Sequence, residues 1–158
     1  LVPAGQKPET GCEAASVADY HAHRIGLGIP ESGLDYPLGD TFPHEADYDQ
    51  TGSVDFKKGC YVGQEVVGRM QHRGKARKRI VQVDGSAPLT AGAEITAGES
   101  SIGAVGSVSG TRGLAMVRLD RVEKALESGN SLMAGDIRIV LHKPAWAAFD
   151  VPSAEHRQ

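Results

Sequence analysis

Cys60 is the residue whose type and neighbours most directly suggest chemistry in this 158-residue chain. It follows Lys57, Lys58 and Gly59 and precedes a segment, residues 63–72, that is predicted to be a short helix. Free amide N–H groups and the dipole at a helix N-terminus favour an anion, and the two lysines add positive charge. The thiolate form of Cys60 would therefore be stabilised. The residues alone leave open the alternative of a buried cysteine that fills apolar space.

The stretch around this cysteine also resembles a known family signature. Residues 58–65 are similar to the K-G-C-Y-x-G-Q-E pattern of the YgfZ family, with Lys58, Gly59, Cys60, Tyr61, Val62, Gly63, Gln64 and Glu65. Residues 23–31 and 42–46 resemble the family's R-I-x-x-G-I-P-E and F-P-H-E segments. The resemblance covers roughly residues 20–145, and an octapeptide is far more specific than a lone glycine motif.

The YgfZ resemblance implies a fold and a function. It implies an α+β fold: the C-terminal part of a folate-binding body like that of the glycine cleavage T-protein, followed by a small antiparallel β-barrel. It implies an accessory protein, not a classical enzyme, that acts in iron–sulfur cluster assembly or repair. Radical iron–sulfur enzymes would connect that role to tRNA modification. The implied partners are iron–sulfur proteins or their assembly machinery, and folate.

The same resemblance assigns site residues. Cys60 would be the functional thiol with Lys58 beside it, and the other signature residues would surround them. Tetrahydrofolate is the implied cofactor, and Arg24, Glu31 and Glu45 are candidates for contacting it. Because the chain begins just before the R-I-x-x-G segment, the N-terminal lobe of such a protein would be missing. We therefore expect weak or no folate binding by these residues alone.

Two other functions fit parts of the sequence. A folate-dependent aminomethyltransferase of the T-protein type shares the implied fold, although one-carbon transfer to tetrahydrofolate needs acid–base positioning and no thiol. An RNA-binding module could use residues 57–79, which hold eight basic residues and one acidic residue. Only Tyr61 is available for base stacking, so direct nucleic-acid binding is the less favoured interpretation, and the basic run at residues 73–79 is interpreted as a solvated linker.

Hydrophobic periodicity predicts where the elements that position Cys60 lie. Residues 12–27 are predicted to be a helix with an apolar stripe of Val17, Ala18, Ala22 and Ile25, and residues 28–56 a long, Gly/Pro-rich loop. From residue 76 the period changes to two, which predicts strands at 79–84, 94–97, 102–109, 114–119 and 137–142 with a short helix at 120–128. The predicted domains are residues 1–75, a barrel at 76–145 and a tail at 146–158.

Composition excludes several classes of protein. No apolar run approaches the ~20 residues of a membrane helix, so no membrane partner is expected. Two cysteines, Cys12 and Cys60, cannot form a disulfide scaffold, and their spacing is not that of a zinc or cluster site. We therefore expect no permanently bound metal and take the cytoplasm as the location. His44 and Glu45 could form an acid–base pair, although a structural histidine is the more common case.

Overall fold

Six antiparallel strands close into a β-barrel that forms the larger part of the computed structural model. The structure describes residue 11 and residues 13–73 and 76–153. The strands are β1 (Lys78–Gly85), β2 (Glu94–Ala97), β3 (Ser100–Ser109), β4 (Arg112–Arg118), β5 (Leu132–Ala134) and β6 (Ile137–His142), and three helices accompany them: α1 (Val17–Leu27), α2 (Gln64–Arg73) and α3 (Leu119–Glu127). None of the helices in these ranges is long and apolar enough to cross a membrane.

The barrel order is β1-β4-β3-β2-β5-β6, and β6 returns to pair with β1. Alternation along β1 explains the packing: Val81 and Val83 belong to the interior cluster, while Ile80 belongs to a second cluster outside the barrel wall. Side chains that alternate across a strand point to opposite faces of a sheet. The fold class is therefore as predicted, α+β with a small antiparallel barrel.

The second cluster attaches the N-terminal part to the barrel. Ile80 and Leu114 are fully buried beneath Ile25, Tyr36 and Ala46. Burial of a branched aliphatic side chain contributes about 1.5–3 kcal/mol. The outer face of β1 and β4 is thus buried in a second hydrophobic core, shared with the N-terminal part.

Helix α1 begins later than predicted and buries a different face. Ser16 caps it, because its Oγ accepts the Asp19 N–H at 3.1 Å while the Asp19 carboxylate accepts the Ser16 N–H at 2.8 Å. The predicted start at residue 12 is therefore wrong, and Cys12 itself lies outside the described residues. Of the predicted apolar stripe only Ile25 is buried: Val17 is 73% exposed, Ala18 and Ala22 are exposed too, and the helix buries Arg24 beside Ile25.

The C-terminal end of α1 is held by the barrel. Gln82 donates from Nε2 to the carbonyl of Gly26 at 2.8 Å, and Trp146 donates from Nε1 to the carbonyl of Leu27 at 2.9 Å. The helix ends at Gly28, whose φ of 75° is left-handed. The last carbonyls of a helix lack partners inside it, so these two side chains satisfy them.

The other elements agree with the predicted periodicity, with one omission. Helices α2 and α3 and five of the strands lie within two residues of their predicted bounds. Helix α2 contributes little to the core: Val67 is buried, whereas Val66 is 44% exposed, and Val62 precedes the helix and lies in solvent. Strand β5 was not predicted, since three residues are too few to show alternation. Gly74, the predicted end of α2, lies outside the described residues.

Candidate functional site

Cys60 lies in an exposed turn that leads into α2. Asp55 begins this turn, because its Oδ1 accepts the Lys57 N–H at 2.8 Å. The Cys60 side chain is exposed, and the helix begins four residues later at Gln64. The alternative of a buried, space-filling cysteine therefore does not describe this residue. Its thiol is accessible to a solute or a partner protein.

The charged signature residues contact neighbours within the same segment. The Lys58 ammonium lies 4.8 Å from the centre of the Tyr61 ring, a cation–π contact that holds both side chains near the turn. Glu65 forms an ion pair with Arg69 one helical turn later. Gln64 donates its N–H to the carbonyl of Tyr61 at 3.2 Å. These contacts organise the entry into α2 and leave the thiol in solvent.

Gly63 is the signature position whose backbone requires glycine. Its φ is 88°, in the left-handed region, and its carbonyl accepts the N–H groups of Val66 and Val67. A residue with a Cβ is strained in that conformation. Gly59 has no such angle, so the structure assigns it no equivalent requirement.

His44 connects the Cys60 turn to the rest of the molecule. It is 3% exposed, its Nε2 is 2.9 Å from Oε1 of Gln71 on α2, and its ring centre is 5.7 Å from that of Phe56. Glu45 has different partners: it accepts the Phe42 N–H at 3.2 Å. His44 and Glu45 therefore do not form an acid–base pair. His44 agrees with the favoured interpretation of a structural histidine, and it positions α2 and the turn.

Arg79 is a buried charged residue near the Cys60 turn that the sequence analysis did not single out. It is 5% exposed and donates to both carboxylate oxygens of Asp49, to Asp47 and to the carbonyl of His44. Its guanidinium also lies 4.7 Å from the Phe149 ring centre. The solvated-linker interpretation is thus wrong for this residue, which is buried in an ion-pair network. No spacing rule connects residue 79 to acids thirty residues earlier.

The two aspartates beside Arg79 differ in their pKa. Burial raises the pKa of Asp47 to about 7, and the nearby Arg79 charge offsets only part of that shift. For Asp49, burial acts in the same upward direction, but its hydrogen bonds from Arg79 and Gln50 outweigh it and the pKa is lowered. Asp47 also has a φ of 61° and accepts the Ile80 N–H at 3.2 Å. The network therefore joins residues 44–49 to the start of β1.

Arg24 and Glu31, two of the folate candidates, form an ion pair with each other. Arg24 is 4% exposed; its Nη1 donates to Asp35 at 2.7 Å and to the carbonyl of Ile29, and its Nε is 3.1 Å from Oε2 of Glu31. Glu45, the third candidate, lies 3.9 Å from the Lys78 ammonium and is not part of this group. Arg24 could reach a folate carboxylate only by giving up these bonds, so this set does not fit the cofactor in this chain.

Cys60 is not part of a preformed metal site in the described residues. Within residues 13–73 and 76–153, no group of three His, Cys, Asp or Glu side chains could hold a metal ion.

Comparison with known proteins supports the broad relationship. Residues 77–149 match the family model of the CAF17 C-terminal beta-barrel domain. The chain is 35% identical over 133 residues to the mitochondrial iron–sulfur cluster assembly factor IBA57 of Mus musculus, and 35% identical over 132 residues to that of Homo sapiens. It is 42% identical over 85 residues to the IBA57 homologue of Cryptococcus neoformans.

These alignments cover most of this chain and a minor part of the relatives. The mouse and human matches each include 80% of this chain and 35% of the relative, and the Cryptococcus match includes 52% and 23%. The chain therefore spans about a third of the length of the curated mammalian relatives. The comparisons show similarity to IBA57 proteins and to the CAF17 C-terminal barrel domain, and they do not confirm the YgfZ type in particular.

A solved structure supports the fold assignment. The glycine cleavage system aminomethyltransferase T from Bartonella henselae superposes with a TM-score of 0.60 and 21% identity, covering 78% of this chain and 37% of the other. At that identity the likeness is one of fold. The T-protein-like fold implied by the sequence resemblance is therefore confirmed.

The expectation of a cytoplasmic protein is wrong. The mouse, human and Cryptococcus relatives are all named as mitochondrial proteins, which points to mitochondria instead. The cysteine count and the composition could not separate these two locations. The lack of a disulfide scaffold indicates a reducing compartment but does not say which one.

Proposed function

We propose that this chain acts in iron–sulfur cluster assembly, with Cys60 as the group that contacts the cluster. The observation that carries the proposal is the 35% identity over 133 residues to a protein named as an iron–sulfur cluster assembly factor. The exposure of Cys60 supports it, since a thiol that receives a cluster from another protein must be accessible. The cluster is cargo, and the partner would be a cluster-carrying protein of the assembly machinery.

The chemistry proposed for Cys60 is ligation of iron. The thiol gives its proton to solvent, and its sulfur replaces one ligand of an iron atom in the arriving cluster. Because described residues near Cys60 do not form a metal-holding group, the remaining ligands would come from the partner. The role is therefore transient contact during transfer, and loss of cluster supply would lower tRNA modification by radical iron–sulfur enzymes.

The structure offers less support for the two alternatives. For aminomethyl transfer, the T-protein neighbour is similar in fold only, and Arg24 and Glu31 are engaged with each other. For RNA binding by residues 57–79, Arg79 is buried against Asp49 and Lys58 lies over Tyr61. Neither alternative has a feature that favours it over cluster assembly.

A cluster-transfer experiment tests this proposal. The purified chain is mixed anaerobically with a glutathione-ligated [2Fe–2S] cluster, and visible absorption and circular dichroism report transfer. We expect the parent and Cys12→Ser to take up the cluster and Cys60→Ser to fail, since serine keeps the volume but removes the soft ligand. Transfer to Cys60→Ser at the parent's rate would disprove the role of the thiol.

A cellular test addresses the whole protein. In cells that lack this protein, the Cys60→Ser form should fail to restore iron–sulfur enzyme activity and methylthiolated tRNA. The Cys12→Ser form serves as the matched control and should restore both. Equal rescue by the two forms would mean that packing or folding, and not thiol chemistry, explains the position of Cys60.

A further inference from the structure

A groove on the outside of the barrel carries an inference that is independent of the cluster-assembly proposal. It lies between residues 33–37 and the outer face of β3 and β4, and its volume is about 500 Å³. Small-molecule sites in proteins commonly have volumes of roughly 300–1,000 Å³. Residues 55–65 do not line it, so it is separate from the Cys60 turn.

The floor of the groove carries almost no side chains, and packing explains why. A Cβ on Gly103 would lie 2.1 Å from the carbonyl oxygen of Met116, and one on Gly106 would lie 2.5 Å from Oδ1 of Asp35. Both positions must therefore remain glycine. With Ser101 and Ala104 they form a smooth, narrow strip on which a flat or chain-like body could lie.

The wall of the groove is apolar. Leu34 lines it and is 53% exposed, and Pro37 and the half-buried Met116 line it as well. An exposed leucine beside a bare strip of strand loses water contact when a ligand covers both. Removal of this apolar surface from water favours binding of a ligand with an apolar body.

One end of the groove is cationic. Lys78 lines it with a side chain 45% exposed, and its ammonium is 3.9 Å from the Glu45 carboxylate, beyond hydrogen-bond distance. Arg118 lines it too, and its two bonds to Asp120 use Nε and Nη2, so its Nη1 donors face no partner in that pair. These two side chains can therefore bind a carboxylate or phosphate.

The acidic side chain in the lining does not oppose an anion. The carboxylate of Asp35 is fully buried, and it accepts bonds from Arg24 at 2.7 Å, from the Glu31 N–H at 2.8 Å and from the Ser107 N–H at 2.7 Å. Its charge is matched by Arg24. Of the charged side chains that line the groove, Lys78 and Arg118 are therefore the ones that a ligand can reach. Each also forms an ion pair, Lys78 with Glu45 and Arg118 with Asp120, and neither of these acids lines the groove.

We propose that this groove binds a small organic anion, with its apolar body on the β3–β4 strip and its carboxylate or phosphate at Lys78 and Arg118. A small molecule fits better than an extended peptide, because β3 is already paired with β2 on one side and β4 on the other. A peptide strand would find no free row of backbone N–H and carbonyl groups there.

The test uses two fluorescent probes that share an aromatic body. One, 8-anilinonaphthalene-1-sulfonate, carries a negative charge, and the other, N-phenyl-1-naphthylamine, is neutral. We expect the anionic probe to bind the parent chain. The double variant Lys78→Gln/Arg118→Gln should bind this probe about tenfold more weakly, because a charge-assisted hydrogen bond is lost. The neutral probe should be unaffected by those changes. Arg138→Gln on β6 is the matched control and should bind both probes as the parent does.

A groove-filling variant and an NMR titration test whether the probes bind in the groove itself. Ala104→Phe should abolish binding of both probes, with far-UV circular dichroism confirming that it folds. In the parent, the amides of Gly33, Gly103 and Gly106 should show the largest NMR shifts during titration with the anionic probe. Shifts centred elsewhere, or equal weakening by Arg138→Gln, would overturn the proposal.

Competition identifies the anionic group. Displacement of the anionic probe by decanoate supports a carboxylate ligand, and displacement by decyl phosphate supports a phosphate ligand. Displacement by neither, or equal displacement by neutral decanol, would overturn the proposal. Loss of probe binding as the protein is concentrated, together with dimer formation in sedimentation, would show that a second copy covers the groove and would overturn it too.

Discussion

Arg79 holds both carboxylate oxygens of Asp49, with Nη1 2.6 Å from Oδ1 and Nη2 3.0 Å from Oδ2. This two-pronged contact joins the loop before the Cys60 turn to the first barrel strand. The same Nη1 reaches the carbonyl of His44, whose ring contacts α2 and Phe56. The position of the Cys60 turn therefore depends on an arginine nineteen residues later in the chain.

Replacing Arg79 should destabilise the protein strongly. Arg79→Ala leaves the buried carboxylates of Asp47 and Asp49 without their cation, and we expect a loss of about 3 kcal/mol in the free energy of unfolding. Arg79→Lys should lose less of this free energy than Arg79→Ala but should not match the parent, since a lysine ammonium cannot make the bidentate contact with the Asp49 carboxylate. Urea unfolding measures both. The exposed neighbour provides the control: Arg77→Ala should change stability by less than about 0.5 kcal/mol. Equal effects at the two positions would contradict the network's importance.

Asp47 should make stability fall as the pH rises from about 4 to 7. Its pKa is raised to about 7 in the folded protein, so the folded state binds more protons than the unfolded state across that window. The slope from one such group is at most about 1.4 kcal/mol per pH unit. Asp49 remains ionised there, because its pKa is lowered.

The variant Asp47→Asn tests this dependence. Its amide oxygen can still accept the Ile80 N–H, but it cannot ionise. Urea unfolding at several pH values between 4 and 7 should therefore show a flatter profile than the parent. An unchanged slope in Asp47→Asn would assign the pH dependence to another group.

Two glycines at the end of α1 should respond in opposite directions to alanine. Gly28 has a φ of 75°, and a Cβ there would lie 2.9 Å from Cβ of Pro144, so Gly28→Ala should cost about 1–2 kcal/mol or more. Gly26 lies inside the helix with nothing within 4 Å of a Cβ, so Gly26→Ala should gain up to about 1 kcal/mol. Thermal unfolding of the pair measures the difference, and a shift of the same sign in both would refute it.

Tetrahydrofolate should bind this chain weakly or not at all. Arg24 donates hydrogen bonds to Asp35, to Ser107 and to the carbonyl of Ile29, so a folate carboxylate would have to replace existing hydrogen bonds. Calorimetry on the 158-residue chain measures the affinity, with Arg24→Lys as the comparison. Micromolar or tighter binding that Arg24→Lys removes would show that this arginine serves the cofactor after all.

Residues 76–145 are predicted to fold as a separate barrel. Trypsin should cleave first at the exposed Lys57 and Lys58 and leave the barrel fragment intact. The isolated fragment should show the circular dichroism of a β protein but a lower melting temperature than the whole chain. The reason is that Ile80 and Leu114 lose the cover of Ile25, Tyr36 and Ala46. A mainly helical or unfolded spectrum would argue against the predicted boundary.

Local patterns in the sequence determined most of the elements. The alternation of Val81 and Val83 with polar neighbours identified β1, because a strand's period of two is a property of consecutive residues. The turn before α2 was equally local, since Gly63 and the residues after it carry their own helix-entry signals. The signature around Cys60 could be recognised for the same reason, because its residues are consecutive in the sequence. Only the three residues of β5 were too short to reveal a period.

Tertiary structure decided which distant residues meet. Arg24 reaches Ser107, 83 residues away, and Arg79 reaches Asp49, 30 residues away. No periodicity encodes such pairs, because they depend on which faces of α1 and β1 pack against the loop and the barrel. The apolar stripe predicted for α1 is buried only at Ile25 for that reason. The barrel buries the face with Arg24, whose charge Asp35 neutralises, and leaves Val17 in solvent. A buried charge is stable only with its partner, and the partner is chosen by the fold.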